Sequence, residues 1–345
     1  MIGIVSKRGP NPLKGFQLDP AAIRLVGQDL KRPECILAER DGTLWSADAR
    51  GGLMRIDPDG RQTLVTLNHD RHWDLAARDA DKLQSGTLPN GLAFASNGDF
   101  LIANFGTDRL ERMSRDGVIT VLLDKIDGKP LGKVNFVLRD RQDRIWITVS
   151  TMVNPWSDAI RTGLPDGSLI LLDHKGARIV ADGFHFTNEI RLDAKEEWLY
   201  VAETTAKRVT RLRILADGSL TDREVYGPSS LGRGMVDGIC FDAYGNLWAT
   251  MIFADRLVAI TPDGELLELF DDGDPAGTEA VEQAFATGNP VPFEVLMQSG
   301  GRVCPWLASV TFGGPDLKTA YLGGLRSTNI PTFDSPVAGL PMVHW

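Results

Sequence analysis

Hydrophobic and polar positions in this chain alternate with a period of two, in short runs rich in Val, Ile, Leu, Trp and Tyr that Gly, Asp and Asn bound. Runs of that kind predict β-strands joined by tight turns. Six times an oxygen-bearing residue opens such a run: Glu34, Asn90, Asn135, Asn188, Asp237 and, more weakly, Ser309. A turn and a second strand follow within about ten residues, as in Asp41-Gly42-Thr43-Leu44-Trp45 and Tyr244-Gly245-Asn246-Leu247-Trp248. A further turn closes most units, as in Asp57-Pro58-Asp59-Gly60 and Thr261-Pro262-Asp263-Gly264. The starts lie about 45 to 72 residues apart, room for one four-stranded blade each plus insertions.

The expectation is an all-β, six-bladed β-propeller filling residues 1–345 as one domain, with blades starting near residues 34, 90, 135, 188, 237 and 309. The sixth repeat is short at its C-terminal end, so residues 20–30 are expected to close the ring, with 21–26 as the missing strand. One segment, Pro275–Ala286, reads instead as a short helix, with Thr278 as its cap and Glu279 and Glu282 in its first turns.

In a propeller the innermost strands line a central channel, so equivalent positions converge. Two carboxylates and three amides in one register form a hard-oxygen donor set suited to a divalent ion at the channel mouth, Ca²⁺ first, with Mg²⁺, Mn²⁺ or Zn²⁺ as alternatives. Asn90-Gly91 and Asp237-Gly238 also fit the start of a tight turn. Turns alone do not explain a register in which four of the six dipeptides lack glycine.

Composition narrows the function. A net charge of −9 argues against a nucleic-acid or anionic-membrane partner and leaves a small-molecule substrate, with a monomer or homodimer expected. The N-terminus lacks the apolar core of a signal peptide and no run reaches membrane-spanning length, so a cytoplasmic location is expected. Three cysteines without CxxC spacing point to buried free thiols. Five histidines without HxH or HExxH spacing argue against a multi-His zinc site, and no G-x-S-x-G elbow or dinucleotide fingerprint occurs.

The long departures from the repeat, 67–88, 150–165 and 271–305, fall where strand order places mouth-side connections. They carry His69, Arg71, His72, Trp73, Met152, Trp156, Arg161, Phe293 and Met297, and are read as an aromatic lid that favours an apolar or aryl substrate. Second strands end near the same mouth at Asp48, Asn104, Thr148, Glu203 and Thr204, of which Asp48, Asn104 and Glu203 are candidates for binding substrate, with Asn90 and Trp156. The far face is expected to keep only short Asp-Gly turns.

These motifs resemble the gluconolactonase and senescence-marker-protein (regucalcin) family of six-bladed propellers. The text that carries the resemblance includes Pro33-Glu34, Pro89-Asn90-Gly91-Leu92-Ala93, Val134-Asn135, Thr187-Asn188, Val236-Asp237-Gly238-Ile239 and Phe312-Gly313-Gly314-Pro315-Asp316, in order over roughly residues 30 to 325. The resemblance implies a divalent metal held by Glu34, Asn135, Asn188 and Asp237, with Asp237 also the catalytic carboxylate of lactone hydrolysis. Among the carboxylates at the mouth, Glu34 is the alternative base. The chain departs from the family pattern at Cys35, Phe136 and Glu189, which puts the substrate in doubt more than the metal. The expected function is a metal-dependent lactonase or esterase. Another metal-dependent enzyme on this scaffold (lyase, isomerase or epoxide-opening), a non-catalytic calcium-binding regulator and an interaction propeller stay open.

Overall fold

The computed structural model describes residues 9–66, 83–84 and 86–345. Among them, six antiparallel four-stranded sheets form the blades, with innermost strands Ile36–Ala38, Pro89–Phe94, Val134–Arg139, Thr187–Leu192, Met235–Phe241 and Leu307–Gly313. In the first five blades sheet order follows chain order, as short turns between alternating strands require. The sixth is completed from the other end of the chain. Arg24–Val26 pairs antiparallel with Ile330–Asp334, Arg24 opposite Thr332 and Val26 opposite Ile330, so the last blade gains its outer strand.

A repeated brace ties the first two strands of several blades. The indole Nε1 of Trp45 donates to Glu39 Oε2 at 3.0 Å, that of Trp146 to Asp140 Oδ2 at 2.9 Å, and that of Trp248 to Asp242 Oδ2 at 2.9 Å. In each case the acceptor lies six residues before the Trp, so one hairpin buries a large ring and satisfies its only donor. Trp146 and Trp248 are fully buried between blades.

The helix Pro275–Ala286 forms, but its cap is Asp274, which accepts from Gly277 N at 2.6 Å. Proline at the first helical position explains the one-turn correction, because it needs no hydrogen-bond acceptor for its nitrogen. The Thr278 hydroxyl donates to Phe253 O at 3.1 Å instead and pins the helix to the fifth blade.

The far face also differs from expectation. Residues 340–345 cross it: Leu340 N donates to Phe241 O at 2.9 Å and His344 Nε2 to Ala38 O at 3.1 Å, both at the ends of inner strands. The His344 ring stands edge-on to Phe94, 4.7 Å between centroids. The tail is apolar where it meets the channel and so stays docked there. Among the described residues no helix is long and apolar enough to cross a membrane.

Candidate functional site

The inner strands do not run straight at their first residues. In blades two to six the register with the second strand slips near the entry: between Pro89 and Leu92, Val134 and Phe136, Thr187 and Ile190, Val236 and Ile239, and Leu307 and Ser309. Asn90, Asn135, Asn188 and Asp237 occupy four of these bulges. An extra residue in one strand re-aims its side chain out of the sheet, here into the channel. Second-strand hydroxyls hold the distortion, since Thr148 Oγ1 accepts from Phe136 N at 2.9 Å and Thr250 Oγ1 from Gly238 N at 2.8 Å.

The bulges also dispose of the tight-turn explanation. A Cβ at Gly91 would stand 2.5 Å from Phe136 Cα, and one at Gly238 would stand 2.4 Å from Ala308 O. The glycines of Asn90-Gly91 and Asp237-Gly238 therefore serve the close approach of the next blade's inner strand.

Glu34, Asn90, Asn135, Asn188 and Asp237 meet on the floor of one pocket, each at most 5% exposed. Asn90 Nδ2 donates to Asn135 O at 3.0 Å, and Asn188 Nδ2 to Thr204 Oγ1 at 3.2 Å. What remains is a set of buried oxygens: Asn135 Oδ1, Asn188 Oδ1 and Asp237 Oδ1 have no hydrogen-bond donor, and Glu34 Oε2 meets the Arg32 guanidinium as an ion pair. Buried polar atoms are seldom left so, and four converging oxygens fit a hard divalent cation. Among the described residues no three Asp, Glu, His or Cys side chains cluster for a metal, so any such ion would rely on the amide oxygens of Asn135 and Asn188 beside two carboxylates. Ser309 is not available for it, because its hydroxyl donates to the main-chain oxygen of Glu34.

Charge is confined here at a cost. Burial pushes the Glu34 carboxyl above the usual range, against Arg32 and Asn90, which favour its ionised form. Burial raises Asp237 further, reinforced by the nearby charges of Glu34 and Glu189 and opposed by Arg32 and Asn188. Glu189, also buried, is pushed up to about 7. It accepts from Ile239 N at 3.2 Å and pairs with Arg191 at 2.8 Å, tying the fourth inner strand to the fifth just below Asp237.

Arg32 is the floor residue that sequence reasoning missed. Its Nη2 lies 2.7 Å from Glu34 Oε2 and donates to Asn90 Oδ1 at 2.5 Å, while Nη1 donates to Pro89 O at 3.0 Å. It lies two residues before Glu34, in a backbone conformation (φ 57°) that non-glycine residues rarely adopt, and that conformation turns its side chain inward.

Three expected substrate contacts are corrected. Asp48, Asn104 and Glu203 are fully buried and do not line the pocket. Asp48 accepts from Arg50 Nε at 2.8 Å, Asn104 donates to Glu111 Oε2 at 3.0 Å, and Glu203 accepts from Arg208 Nε at 3.0 Å and from the Thr210 hydroxyl. They sit where second strands end, and their hydrogen bonds hold the turns that follow. Trp156 does line the pocket, in the 3₁₀ turn Trp156–Ala159. Of the other lid residues, Phe293 packs on Trp156 at 6.0 Å, Met152 is largely exposed, and His69, Arg71, His72 and Trp73 lie outside the described residues. The three thiols are free and buried.

Comparison with known proteins agrees with this architecture. The family model described as SMP-30/Gluconolactonase/LRE-like region matches residues 32–273. A 6-deoxy-6-sulfogluconolactonase of Pseudomonas putida is 24% identical over 174 residues, 50% of this chain and 48% of that protein. Serum paraoxonase/arylesterase 1 of Rattus norvegicus is 27% identical over 140 residues, 40% of this chain and 36% of that one. The match thus spans less than half the length of either curated relative. Among solved structures, a calcium-binding protein, regucalcin, from Agrobacterium tumefaciens superposes with a TM-score of 0.65 at 16% identity, over 91% of this chain and 95% of that one, which shows the shared propeller fold.

Proposed function

Because the chain belongs to the SMP-30/gluconolactonase/LRE-like family, we propose that it is a lactone or carboxylic-ester hydrolase that works with a divalent cation held by Glu34, Asn135, Asn188 and Asp237. The observation that carries this reading is the convergence of four buried oxygens, three of them without donors and the fourth paired only with Arg32, beneath an apolar-walled pocket. The lactonase and arylesterase names of the two curated relatives support it, and oxygen-only donors make Ca²⁺ the first choice. When bound, the ion would polarise the ester carbonyl and balance the charge of the oxyanion.

The residues of the chain then divide the remaining work. The described lining carries no Ser, Cys or His, and its one hydroxyl, on Thr204, already accepts from Asn188. Attack by water accordingly fits better than a covalent intermediate on a serine or cysteine. Asp237 takes the proton of the attacking water as the new C–O bond forms. The ring C–O bond breaks, and the same proton passes to the departing alkoxide to give the hydroxy acid. Without an ion, burial and the charges of Glu34 and Glu189 hold the Asp237 carboxyl high, and a bound cation would favour the ionised form that a base requires. Glu34, on the same floor, is the alternative base.

The test is hydrolysis of a panel of alkyl, aryl and sugar lactones by protein stripped with chelator and then reconstituted with Ca²⁺, alongside elemental analysis. Activity should vanish on stripping and return with about one equivalent of ion. Full activity in chelator would remove the ion from the reaction. One bound equivalent with no turnover of any ester would leave a calcium-binding protein.

A further inference from the structure

Resting on the hydrolase reading above, we propose that the substrate carries an apolar aryl or branched-alkyl substituent beside its lactone or ester carbonyl, and is not a polyhydroxylated sugar lactone. The pocket is divided sharply by chemistry. Among the described residues its polar groups are confined to the floor, while the walls are Phe105, Trp156, Phe186, Ile252 and Phe253 with neighbouring aliphatic side chains. The walls close down on the floor and leave about 40 Å³ of free space between them, so a substituent entering here would lie directly against the rings.

The described walls offer nothing to a hydroxyl. The only polar atom of Trp156, Nε1, is already spent on Leu83 O at 3.1 Å. Its ring stands edge-on to Phe105 at 6.1 Å and to Phe186 at 6.4 Å, which fixes its orientation over the floor. On the floor, Asn90 is committed to Arg32 and Asn135, and Thr204 to Asn188. With the oxygens of Asn135, Asn188 and Asp237 engaged by the proposed cation, a sugar lactone would lose the hydration of its ring hydroxyls and find few partners among the described residues, and sites discriminate strongly on that ground.

Backbone conformation points the same way. Phe186 and Phe253 both hold positive φ, 56° and 69°. Bulky residues avoid that region, and where a fold retains such strain it tends to mark a working site. Here the strained positions are the turns that carry two rings into the pocket, one entering the fourth inner strand and one leaving the second strand of the fifth blade.

The experiment compares δ-phenyl-δ-valerolactone with D-glucono-1,5-lactone on the calcium-loaded protein, with calorimetric binding of the two corresponding lactams. We expect kcat/KM to favour the phenyl lactone by about 100-fold or more, and the phenyl lactam to bind measurably where the sugar lactam does not. Trp156→Ala should lower that preference about tenfold or more, chiefly through KM. Phe186→Leu gives the same readout should Trp156→Ala fail to fold. Equal or better turnover or binding of the sugar compounds overturns the proposal. Tight binding of the phenyl lactam without turnover of either lactone supports the apolar chamber and overturns the hydrolase reading instead, so the two failures are distinct.

Discussion

Arg32 Nη2 stands 2.7 Å from Glu34 Oε2, which sets a fixed positive charge against one of the oxygens proposed to hold the cation. The guanidinium also donates to Asn90 and to the Pro89 carbonyl, so it is locked in place. It offsets the buried carboxylates whether or not an ion is present, and matters most when none is. Arg32→Met should destabilise the chelated protein by about 1–3 kcal/mol, with protonation of Glu34 and Asp237 absorbing the rest. The calcium-loaded protein should lose less. The gap in Tm between loaded and chelated forms should therefore widen by about 2 °C or more relative to the parent. An unchanged gap would mean that Arg32 and the ion do not share Glu34.

Asp237→Asn removes a charge from the ligand set and the proposed base together, while keeping the shape of the bulge that Thr250 and Gly238 hold. Turnover should fall by about 10²- to 10⁴-fold with the circular dichroism spectrum and Tm little altered. Glu34→Gln should weaken calcium binding as well as rate, measurable by titration against a chelating dye. Parental kcat in Asp237→Asn at saturating calcium would transfer the role of base to Glu34.

Glu203 separates a structural carboxylate from a binding one. Burial pushes its pKa up, but the Thr210 hydroxyl, the Arg208 guanidinium and the His185 N–H outweigh that and hold the carboxyl below its usual range. Glu203→Gln should cost about 1–3 kcal/mol in a urea melt, since it weakens several of these bonds at once. The KM for lactones should stay at the parental value. A selective rise in KM without loss of stability would restore Glu203 to the pocket.

The repeat was legible because the same oxygen-bearing residue type recurs at the entry of each inner strand, and that register alone brings Glu34, Asn135, Asn188 and Asp237 to one floor. The bulges that aim them were not, because a period-two pattern bears no mark of one extra residue. Asn90-Gly91 was ambiguous for a related reason: its glycine answers to the backbone of the next blade, a contact about 45 residues away in sequence. Arg32 was hidden by its position in a linker, where only its φ decides that the side chain turns inward. Asp48, Asn104 and Glu203 were misread because lying near the mouth does not determine whether a side chain faces the channel or its own blade. The Pro-containing tail showed no strand pattern, so nothing in it announced that it crosses the far end of the channel.

That tail supplies a pH dependence whose sign can be worked out. His344 is largely enclosed by the tail and the inner-strand ends, and burial lowers its pKa below 6.5, reinforced by the positive charges of Arg139 and Arg115 and opposed by the Ala38 carbonyl and Glu39. A carbonyl only accepts, so the Nε2 facing Ala38 O carries the proton of a neutral ring. The unfolded chain binds a proton near pH 6.5 and the docked ring binds it at lower pH. The contribution of His344 to stability is therefore full above about pH 6.5 and is lost as pH falls through the lowered folded value. His344→Gln keeps a donor for Ala38 and does not titrate. Between pH 7.5 and pH 5 the parent should lose more Tm than His344→Gln does. Hydrogen exchange of residues 340–345 should accelerate on acidification in the parent alone, with the pocket face unaffected. Matching losses in both proteins would show that other groups govern the acid limb and that the tail is held by its apolar contacts without regard to the charge on His344.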